Sequence, residues 1–412
     1  MTLWVEVGDL MDFASRHERP SGIQRVGFEL ALALARTAPP PHRVAFCSTA
    51  TGRDTGPTEV RLGEISATYS ALTSACPAAY ADTGSSLAHP QEGQRPAARI
   101  VPGDVLLALS PPAWSWEFAG RVNSLVQGGV RFAMFLHDII PILHPSWCES
   151  RVTAQFEPWH RAMLPCVDTL ITSSTAVATD LVDWATGASV PIRRPVAVVR
   201  LGSRFDPSEG PLALELPPGV EASQEPGFAL FVSTVEPRKN HALALEVWQR
   251  AIDALGPSRV PQLVCVGRVG WLVDDLLQRL SDVAYLGGKV VLLKGVPDWQ
   301  LAQLYSSCRF TFFPSHYEGW GLPVTESLAF GKLCLASNRG GIPEAGGAYC
   351  VYFDPGSADE AEAAVRGVIE SASLLHQLTA RVRAGFQEVT WSATAREVLA
   401  AVLSPVGPHR AS

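Results

Sequence analysis

The sequence lacks several features that mark common protein classes. Lysine is scarce, since only Lys239, Lys289, Lys294 and Lys332 occur in 412 residues. The formal net charge is -7, from 33 basic and 40 acidic side chains, and this acidic balance argues against a general nucleic-acid-binding protein. No run of about 18 apolar residues occurs, so the sequence predicts no membrane-spanning helix.

Motifs of several enzyme classes are also absent. The sequence has no GxxxxGK[ST] phosphate loop, GxGxxG fingerprint, GxSxG elbow or HExxH, so P-loop NTPase, nicotinamide-dependent, serine-hydrolase and zincin activities lack their residues. The eight cysteines form no CxxC pair, which favours buried thiols in a reducing cytoplasm over disulfides or a zinc site. The opening stretch MTLWVEVGDLMDFASR carries acids where a signal peptide needs an apolar core. We expect a cytoplasmic protein without a metal site, and peripheral contact with the inner face of the membrane stays an open alternative.

The sequence does contain a regular alternation of short apolar runs and helical patterns, which predicts parallel strands with crossover helices in two doubly wound α/β domains. We predict a first domain at residues 1–205, a linker rich in proline, glycine and acids at 206–227, and a second domain at 228–390. Residues 50–100 are heavy in Ala, Ser, Thr, Gly and Pro with little periodicity, and predict an irregular insertion of the first domain.

Six apolar runs in each half are the candidate strands. In the first half they are LWVEV, RVAFCS, DVLLALS, VRFAMFLHD, VDTLITSS and PVAVVRLG, and in the second half FALFVSTV, QLVCVG, VVLLKGV, RFTFFPS, KLCLAS and YCVYFDP. Ligands of open α/β sheets bind beyond the carboxyl ends of the strands, so the loops that follow these runs are the candidate sites.

The loop HYEGWGLPVTES follows one of these strands and opens a helix. Gly319 and Gly321 allow a ligand close to the backbone, and the amides of Gly321 and Leu322 begin a helix whose N-terminus attracts phosphate. If a nucleotide binds with its phosphates at this helix start, Glu326, one turn into the helix, is placed to bind the ribose diol. Glu318 then faces the group attached to the distal phosphate. The structural alternative is that Glu326 only stabilises the helix dipole and Glu318 is solvated.

The loop STVEPRKNH places several charged residues at another junction of a strand and a helix. Glu236, Arg238 and Lys239 lie together there, and two adjacent cations suit a diphosphate. The alternative is a basic turn in which Asn240 caps the helix.

Three further strand ends carry polar residues or glycine. His137 ends the run FLHDIIP, where it is placed to orient or polarise a substrate, and Asp138 either fixes the histidine tautomer or binds a hydroxyl. Gly22 in RPSGIQRV offers backbone amides to an anion. For both sites the alternative is a purely structural role. The stretch NRGGIPEAGG adds Glu344, to which we assign no role.

Together these motifs resemble the retaining glycosyltransferases of family 4. HYEGWGLPVTESLAFGK is similar to that family's glutamate, seven residues, glutamate motif, and FVSTVEPRKNHALALEVW, GGIPEAGGAYCVYFDP and HDIIP are similar to its donor and cleft segments. The resemblance covers most of residues 228–391 and is thinner in the first domain, where SGIQRV and DTLITSSTAVATDL are similar to family segments. It implies the GT-B fold: two Rossmann-like domains facing across a cleft, the donor mostly on the second and the acceptor mostly on the first. It also implies that residues 391–412 form a helix crossing back to the first domain.

The resemblance implies a role for each matching residue. Glu326 matches the ribose-binding glutamate, Glu318 the one near the donor sugar, Lys239 the phosphate-binding lysine, His137 the cleft histidine and Gly22 a diphosphate-facing amide. One departure is Thr234, which stands where many members carry arginine, so that either Arg238 substitutes for it or the phosphate rests on Lys239 and amides. The predicted catalytic residues are therefore Glu318, His137, Lys239 and Arg238, and the predicted donor-binding residues are Glu326, Gly319, Gly321, Leu322, Gly22 and Thr234.

The function that the resemblance implies is retaining transfer of a hexose from a nucleotide sugar to a glycan or lipid-linked saccharide acceptor in surface polysaccharide synthesis. Mannose from GDP-mannose is the favoured donor, and neither a metal nor another cofactor is implied. Two alternatives stay open: a sugar-nucleotide epimerase of similar build, which needs no acceptor, and a catalytically silent scaffold that binds a sugar nucleotide. The pattern predicts no oligomeric state.

Overall fold

A computed structural model describes residues 1–49, 56–74, 95–110, 114–203, 215–221 and 226–404. Within these residues the chain builds two α/β units, each on one sheet that is wholly or mostly parallel. All the predicted strands are present, and most of them are buried in a sheet covered by helices, as apolar runs in parallel sheets are. Of the predicted linker, the structure describes 215–221 and the two residues 226–227.

The first sheet has the strand order β3-β2-β1-β4-β5-β6-β7. Only the pairing of β3 with β2 is antiparallel. The strands are β1 (Thr2–Glu6), β2 (Arg43–Ser48), β3 (Thr58–Val60), β4 (Val105–Ala108), β5 (Arg131–Phe135), β6 (Thr169–Thr172) and β7 (Ala197–Val198). The helices are α1 (Gly8–Arg16), α2 (Gly22–Thr37), α3 (Leu62–Thr73), α4 (Trp116–Gln127), α5 (Ile140–Leu143), α6 (Ser150–Met163) and α7 (Thr175–Gly187).

The expectation of an irregular insertion at 50–100 is wrong for the described part of this region, which contains a strand and a helix. Residues 58–60 form the edge strand β3, and residues 62–73 form helix α3. The buried side chains of α3 include Ile65, Tyr69 and Leu72, whose spacing of four and three residues is helical. Alanine, serine and threonine around them hide that spacing in the sequence. Residues 50–55 and 75–94 of the expected insertion lie outside the described residues.

The second sheet is parallel throughout, in the order β10-β9-β8-β11-β12-β13. Its strands are β8 (Phe228–Val232), β9 (Gln262–Val266), β10 (Val290–Leu293), β11 (Thr311–Phe313), β12 (Cys334–Ser337) and β13 (Cys350–Phe353). The helices that follow are α8 (His241–Leu255), α9 (Asp274–Asp282), α10 (Asp298–Ser307), α11 (Leu322–Ala329), α12 (Ile342–Gly346), α13 (Ala358–Glu370), α14 (Ala372–Gly385) and α15 (Trp391–Leu403). Because β8 and β11 are neighbours, the loops after these two strands meet.

The last helix, α15, leaves the second unit and packs on the first. Trp391, Val398 and Leu399 belong to the same apolar core as Phe28 and Leu34 of α2. Gly202, at the end of the first unit, leaves room for the Trp391 indole, because an added β-carbon would come within 2.5 Å of it. Among the described residues no helix combines the length and apolar character that crossing a membrane requires.

Candidate active site

Glu318 is the centre of an ion-pair cluster at the carboxyl ends of β8 and β11. Its side chain is 10% exposed and accepts hydrogen bonds from Arg238 Nη1 at 2.5 Å and Lys239 Nζ at 2.6 Å. Arg238 also donates to Glu236 at 2.7 Å. The structural alternative, in which Glu318 is solvated, is therefore wrong, and two cations share two carboxylates in the cluster.

The charges of the cluster fix the protonation state of Glu318. Burial alone raises the pKa of this carboxyl, but the nearby Arg238 and Lys239 outweigh burial and lower its pKa to about 2. The same carboxylates raise the pKa of Arg238 against the opposite effect of burial. At neutral pH the glutamate is thus an anion whose two oxygens are both occupied by cations.

The turn that carries the two cations is held by Asn240. This residue has a left-handed backbone with φ of 61°, and its side chain accepts from the Leu243 amide, so it caps α8 as the structural alternative predicted. Its amide also donates to the carbonyls of Pro314 and Pro355. Capping and charge placement therefore coexist in this loop.

Glu326, eight residues after Glu318, has a different environment. It lies in α11, is 5% exposed, and accepts a hydrogen bond from the Tyr305 hydroxyl of α10 at 2.8 Å. Burial raises its pKa, and the positive charge of Arg25 in the first unit opposes that rise. Glu326 is thus hydrogen-bonded to a tyrosine of the neighbouring helix.

Two of the predicted amide donors, Gly22 and Leu322, are neighbours across the two units. A β-carbon added at Gly22, the first residue of α2, would lie 3.9 Å from the Leu322 side chain at the start of α11. Gly321 caps α11 with φ of 106°, a conformation that favours glycine. The amides of Gly22, Gly321 and Leu322 donate no hydrogen bond to any part of the chain that the structure describes. Two helix starts therefore offer free N–H groups to an anion.

Gly319 and His137 lie close together across the two units. A β-carbon at Gly319 would lie 2.2 Å from the His137 carbonyl oxygen, and the Gly319 carbonyl accepts from Ser174 Oγ at 2.7 Å. The His137 ring bonds through Nε2 to the Leu109 carbonyl at 2.9 Å. Since a carbonyl only accepts, Nε2 carries the ring proton and Nδ1 is left as an acceptor. Burial lowers the pKa of His137 to about 4, so the ring is neutral at neutral pH.

The structure shows the partners of two further acids, Asp138 and Glu344. Asp138 does not fix the His137 tautomer, because the Leu109 carbonyl holds that ring and Asp138 accepts instead from the Ile140 amide at 3.0 Å. Glu344, without an assigned role in the sequence, accepts from the amides of Thr175 and Ala176 at 2.8 and 2.9 Å. It thus stabilises the N-terminus of α7 from across the cleft.

Thr234 lies in the loop after β8 but outside the ion-pair cluster. Its methyl group would be 3.0 Å from a β-carbon added at Gly270, so it packs against the loop that follows β9. Its hydroxyl makes no hydrogen bond to the described residues. The structure therefore brings Arg238, and not Thr234, to Glu318.

An ion pair between the units was not predicted from the sequence. Arg25 of α2 binds Asp298 at the start of α10 through two hydrogen bonds of 2.6 and 2.8 Å, and each side chain is 11% exposed. The sequence offers only weak signals for this pair. Asp298 follows Pro297 at a helix start, and Arg25 lies within SGIQRV. Trp320, between the two motif glycines, was also overlooked; its buried Nε1 has no hydrogen-bond partner in the described chain.

The second unit matches a known family in sequence. Residues 215–384 match the family described as glycosyl transferases group 1. The chain carries a glycosyl transferases group 1 domain. The resemblance recognised in its motifs is therefore confirmed, and the group 1 domain contains the Glu318 cluster, Glu326 and the free amides at the start of α11.

Two curated relatives of the chain are mannosyltransferases of Escherichia coli by name. The serotype-specific mannosyltransferase WbdA of Escherichia coli is 27% identical over 314 residues, which cover 72% of this chain and 36% of WbdA. The O-antigen chain mannosyltransferase B of Escherichia coli is 33% identical over 165 residues, 40% of this chain and 42% of the relative. The chain thus spans about a third of the length of WbdA.

Some solved structures resemble the chain over nearly its whole length. HepE (Alr3699) of Anabaena, in complex with UDP and glucose, has a TM-score of 0.62 at 16% identity and covers 98% of this chain and 99% of its own. WaaG, a glycosyltransferase involved in lipopolysaccharide biosynthesis, has a TM-score of 0.60 at 13% identity and covers 98% and 100%. With the two sheets, this likeness confirms the predicted GT-B fold.

Proposed function

We propose that the chain is a retaining glycosyltransferase that transfers a hexose from a nucleotide sugar to a saccharide or lipid-linked acceptor in surface polysaccharide synthesis. Mannose is the favoured hexose, because the curated relatives WbdA and O-antigen chain mannosyltransferase B are mannosyltransferases by name. GDP-mannose is accordingly the favoured donor, whereas the structural neighbour HepE was solved with UDP.

The observation that carries the proposal is the Glu318 cluster beside the free amides of α11. A nucleoside diphosphate leaving from C1 of the hexose gains negative charge, which Lys239, Arg238 and the two helix starts stabilise. The C1–phosphate bond breaks, a bond from C1 to the acceptor oxygen forms, and the acceptor proton passes to the leaving phosphate. No separate cofactor takes part in this scheme.

The protonation states assign distinct tasks to Glu318 and His137. Glu318 is an anion at neutral pH, so it cannot protonate the leaving group, and it suits stabilisation of positive charge at C1 or a bond to a sugar hydroxyl. His137 is neutral, and its free Nδ1 accepts a hydrogen bond from a sugar hydroxyl. In this scheme Glu326, which accepts a hydrogen bond from Tyr305, binds the ribose diol.

A product assay with the purified full-length chain tests this proposal. The chain is incubated with GDP-mannose, UDP-glucose and related nucleotide sugars, with and without glycoside acceptors, and free nucleotide and new glycoside are measured. Glycoside formation with retained anomeric configuration is expected. A new nucleotide sugar without nucleotide release would establish the epimerase alternative, and binding without any turnover would establish the scaffold.

A further inference from the structure

Arg25 and Asp298 form an ion pair that joins the two units away from the Glu318 cluster. Arg25 Nη1 donates to Asp298 Oδ2 at 2.6 Å, and Nη2 donates to Oδ1 at 2.8 Å. Two parallel hydrogen bonds fix the orientation of the two groups as well as their distance. Because each side chain is only 11% exposed, solvent and salt screen this pair less than a surface pair. The pair is therefore suited to hold the two units in one relative position.

On the first unit, the pair anchors the start of α2. Gly22 is the first residue of this helix, and Arg25 lies about one turn further along on the same side. A β-carbon added at Gly22 would lie 3.9 Å from the Leu322 side chain at the start of α11. A displacement of Arg25 relative to the second unit would therefore also separate the Gly22 amide from the Leu322 amide.

On the second unit, the pair lies on the helix that contacts Glu326. Asp298 is the first residue of α10, and Tyr305, which donates to Glu326 at 2.8 Å, lies about two turns further along. The charge of Arg25 also reaches Glu326, where it opposes the rise in pKa that burial causes. One arginine of the first unit is thus close to two acids of the second.

The Arg25 guanidinium is also held by residues of the first unit. Its Nη1 donates to the Tyr69 hydroxyl of α3 at 3.4 Å, and that hydroxyl donates to Glu29 at 3.0 Å. The Tyr69 ring is stacked on Phe28, with ring centroids 5.1 Å apart. Because these contacts already order the arginine, less side-chain entropy is lost when it pairs with Asp298.

The contacts of Arg25 argue against a direct bond to the donor phosphate. Both Nη atoms donate to Asp298, and Nη1 also donates to Tyr69. A phosphate would have to displace a carboxylate that already forms two hydrogen bonds and neutralises the guanidinium charge. The arginine is therefore better suited to fix the position of neighbouring groups than to bind the ligand itself.

We propose that Arg25 and Asp298 are positioning residues for the donor: their ion pair holds the N-terminus of α2 against the N-terminus of α11, so that amides of both units meet one diphosphate. The proposal rests on the glycosyltransferase function proposed above. The pair acts through the Gly22 and Leu322 amides, which donate no hydrogen bond to the described residues. Neither member of the pair takes part in making or breaking a bond.

The double variant Arg25→Gln/Asp298→Asn of the full-length chain tests the proposal. It removes the ion pair without leaving a buried charge unpaired, which would by itself be strongly destabilising. The charges of Arg25 and Asp298 shift the pKa of Glu326 in opposite directions, so the loss of both disturbs that glutamate less than the loss of one. The dissociation constants of GDP and UDP are compared with those of the nucleosides guanosine and uridine, and urea unfolding shows whether each variant is folded.

We expect the double variant to bind the nucleoside diphosphate about three- to tenfold more weakly, the scale of one helix start withdrawn from an anion. Its affinity for the nucleoside should equal that of the wild type, because a nucleoside carries no phosphate. Asp298→Asn alone should also weaken binding of the diphosphate, and by no more than the double variant, since both changes break one contact. The control, Arg366→Gln/Glu370→Gln, removes a more exposed ion pair of α13 and should change neither affinity.

Three outcomes would overturn the positioning role. The first is wild-type affinity for the diphosphate in the double variant, or in Asp298→Asn if the double variant does not fold. The second is an equal loss of affinity for diphosphate and nucleoside, which a general structural defect would give. The third is tighter binding of the diphosphate by Asp298→Asn, which would make Arg25 a direct ligand that the acid restrains. A wild-type chain that binds neither GDP nor UDP would instead overturn the proposed function, and the positioning role with it.

Discussion

Glu318 and Glu326 are eight residues apart in one motif and equally hidden from solvent, at 8% and 5% exposure, yet their electrostatic environments are opposite. Glu318 meets two cations and its pKa falls to about 2. Glu326 meets one tyrosine hydroxyl, and burial raises its pKa. The comparison teaches that burial alone does not set the charge of a carboxyl. The side chains that the neighbouring element brings to it also decide whether it is ionised.

The fold explains the difference. Glu318 lies in the loop after β11, whose neighbour in the sheet is β8, so it meets the cations of the loop after β8. Glu326 lies within α11, where Tyr305 of α10 contacts it. One glutamate thus belongs to a charged cluster at the strand ends, and the other to the packing between two helices.

The largest effect should come from removing the charge of Glu318. We predict that Glu318→Gln lowers turnover about a thousandfold, the scale of losing one charge-stabilising group in an active site. Initial rates of nucleotide release at saturating donor measure this, with Asp359→Asn on the surface as the control. Full turnover in Glu318→Gln would show that the ion-paired glutamate has no catalytic role.

The next effect concerns how the free energy of unfolding changes with pH. The two glutamates should change it in opposite directions. The lowered pKa of Glu318 gives stability that is present above its unfolded value of 4.5 and is lost as the pH falls to about 2, worth about 3 kcal/mol. The raised pKa of Glu326 gives stability that is present below 4.5 and is lost as the pH rises through its folded value.

Urea unfolding from pH 7 to pH 2 compares the two Gln variants with the wild type. At pH 7, Glu318→Gln should lower the urea midpoint, and the difference should vanish as the pH approaches 2. Glu326→Gln should leave the midpoint at pH 7 unchanged or raise it. A fall of the same size in both variants at pH 7 would contradict the contrast.

A smaller effect is expected from Tyr305, which orients Glu326 through its hydroxyl. We predict that Tyr305→Phe weakens nucleoside diphosphate binding about threefold to tenfold, since it removes one hydrogen bond to the glutamate and none to the ligand. Phe330, stacked on the Tyr305 ring at 5.2 Å, allows a packing control, Phe330→Leu. If only the packing control weakens binding, the hydroxyl has no orienting role.

Chelation of metal ions should have the smallest effect of the series, because we expect no change in turnover. The proposed mechanism meets the charge of the diphosphate with Lys239, Arg238 and backbone amides, so excess EDTA should leave turnover unchanged. Loss of turnover that magnesium or manganese restores would show that the cations of the Glu318 cluster are insufficient.

The sequence predicted every described strand except the edge strand β3, and it predicted the loops that carry the charged residues. Buried parallel strands are apolar runs, and their ends are marked by glycine and charge. Helix α3 was missed because small polar residues dilute its buried positions, Ile65, Tyr69 and Leu72.

The pairings within the site could not be predicted. Lys239 and Glu318 are 79 residues apart, and Arg25 and Asp298 are 273 apart. Such contacts depend on the order of strands in a sheet and on how the units close, and neither follows from the order of elements along the chain. The tautomer of His137 likewise depends on a carbonyl of the neighbouring strand end, Leu109 O.

Calorimetric titration of a nucleoside diphosphate, GDP or UDP, into the wild type, Glu326→Gln and Glu318→Gln tests the central contrast most directly. If Glu326 binds the ribose, its variant should lose about 1.5 to 3 kcal/mol of binding free energy. In Glu318→Gln the two cations lose the carboxylate that they share, so the nucleotide should bind as tightly as in the wild type or more tightly. Equal weakening in both variants would contradict the division of roles between the two glutamates.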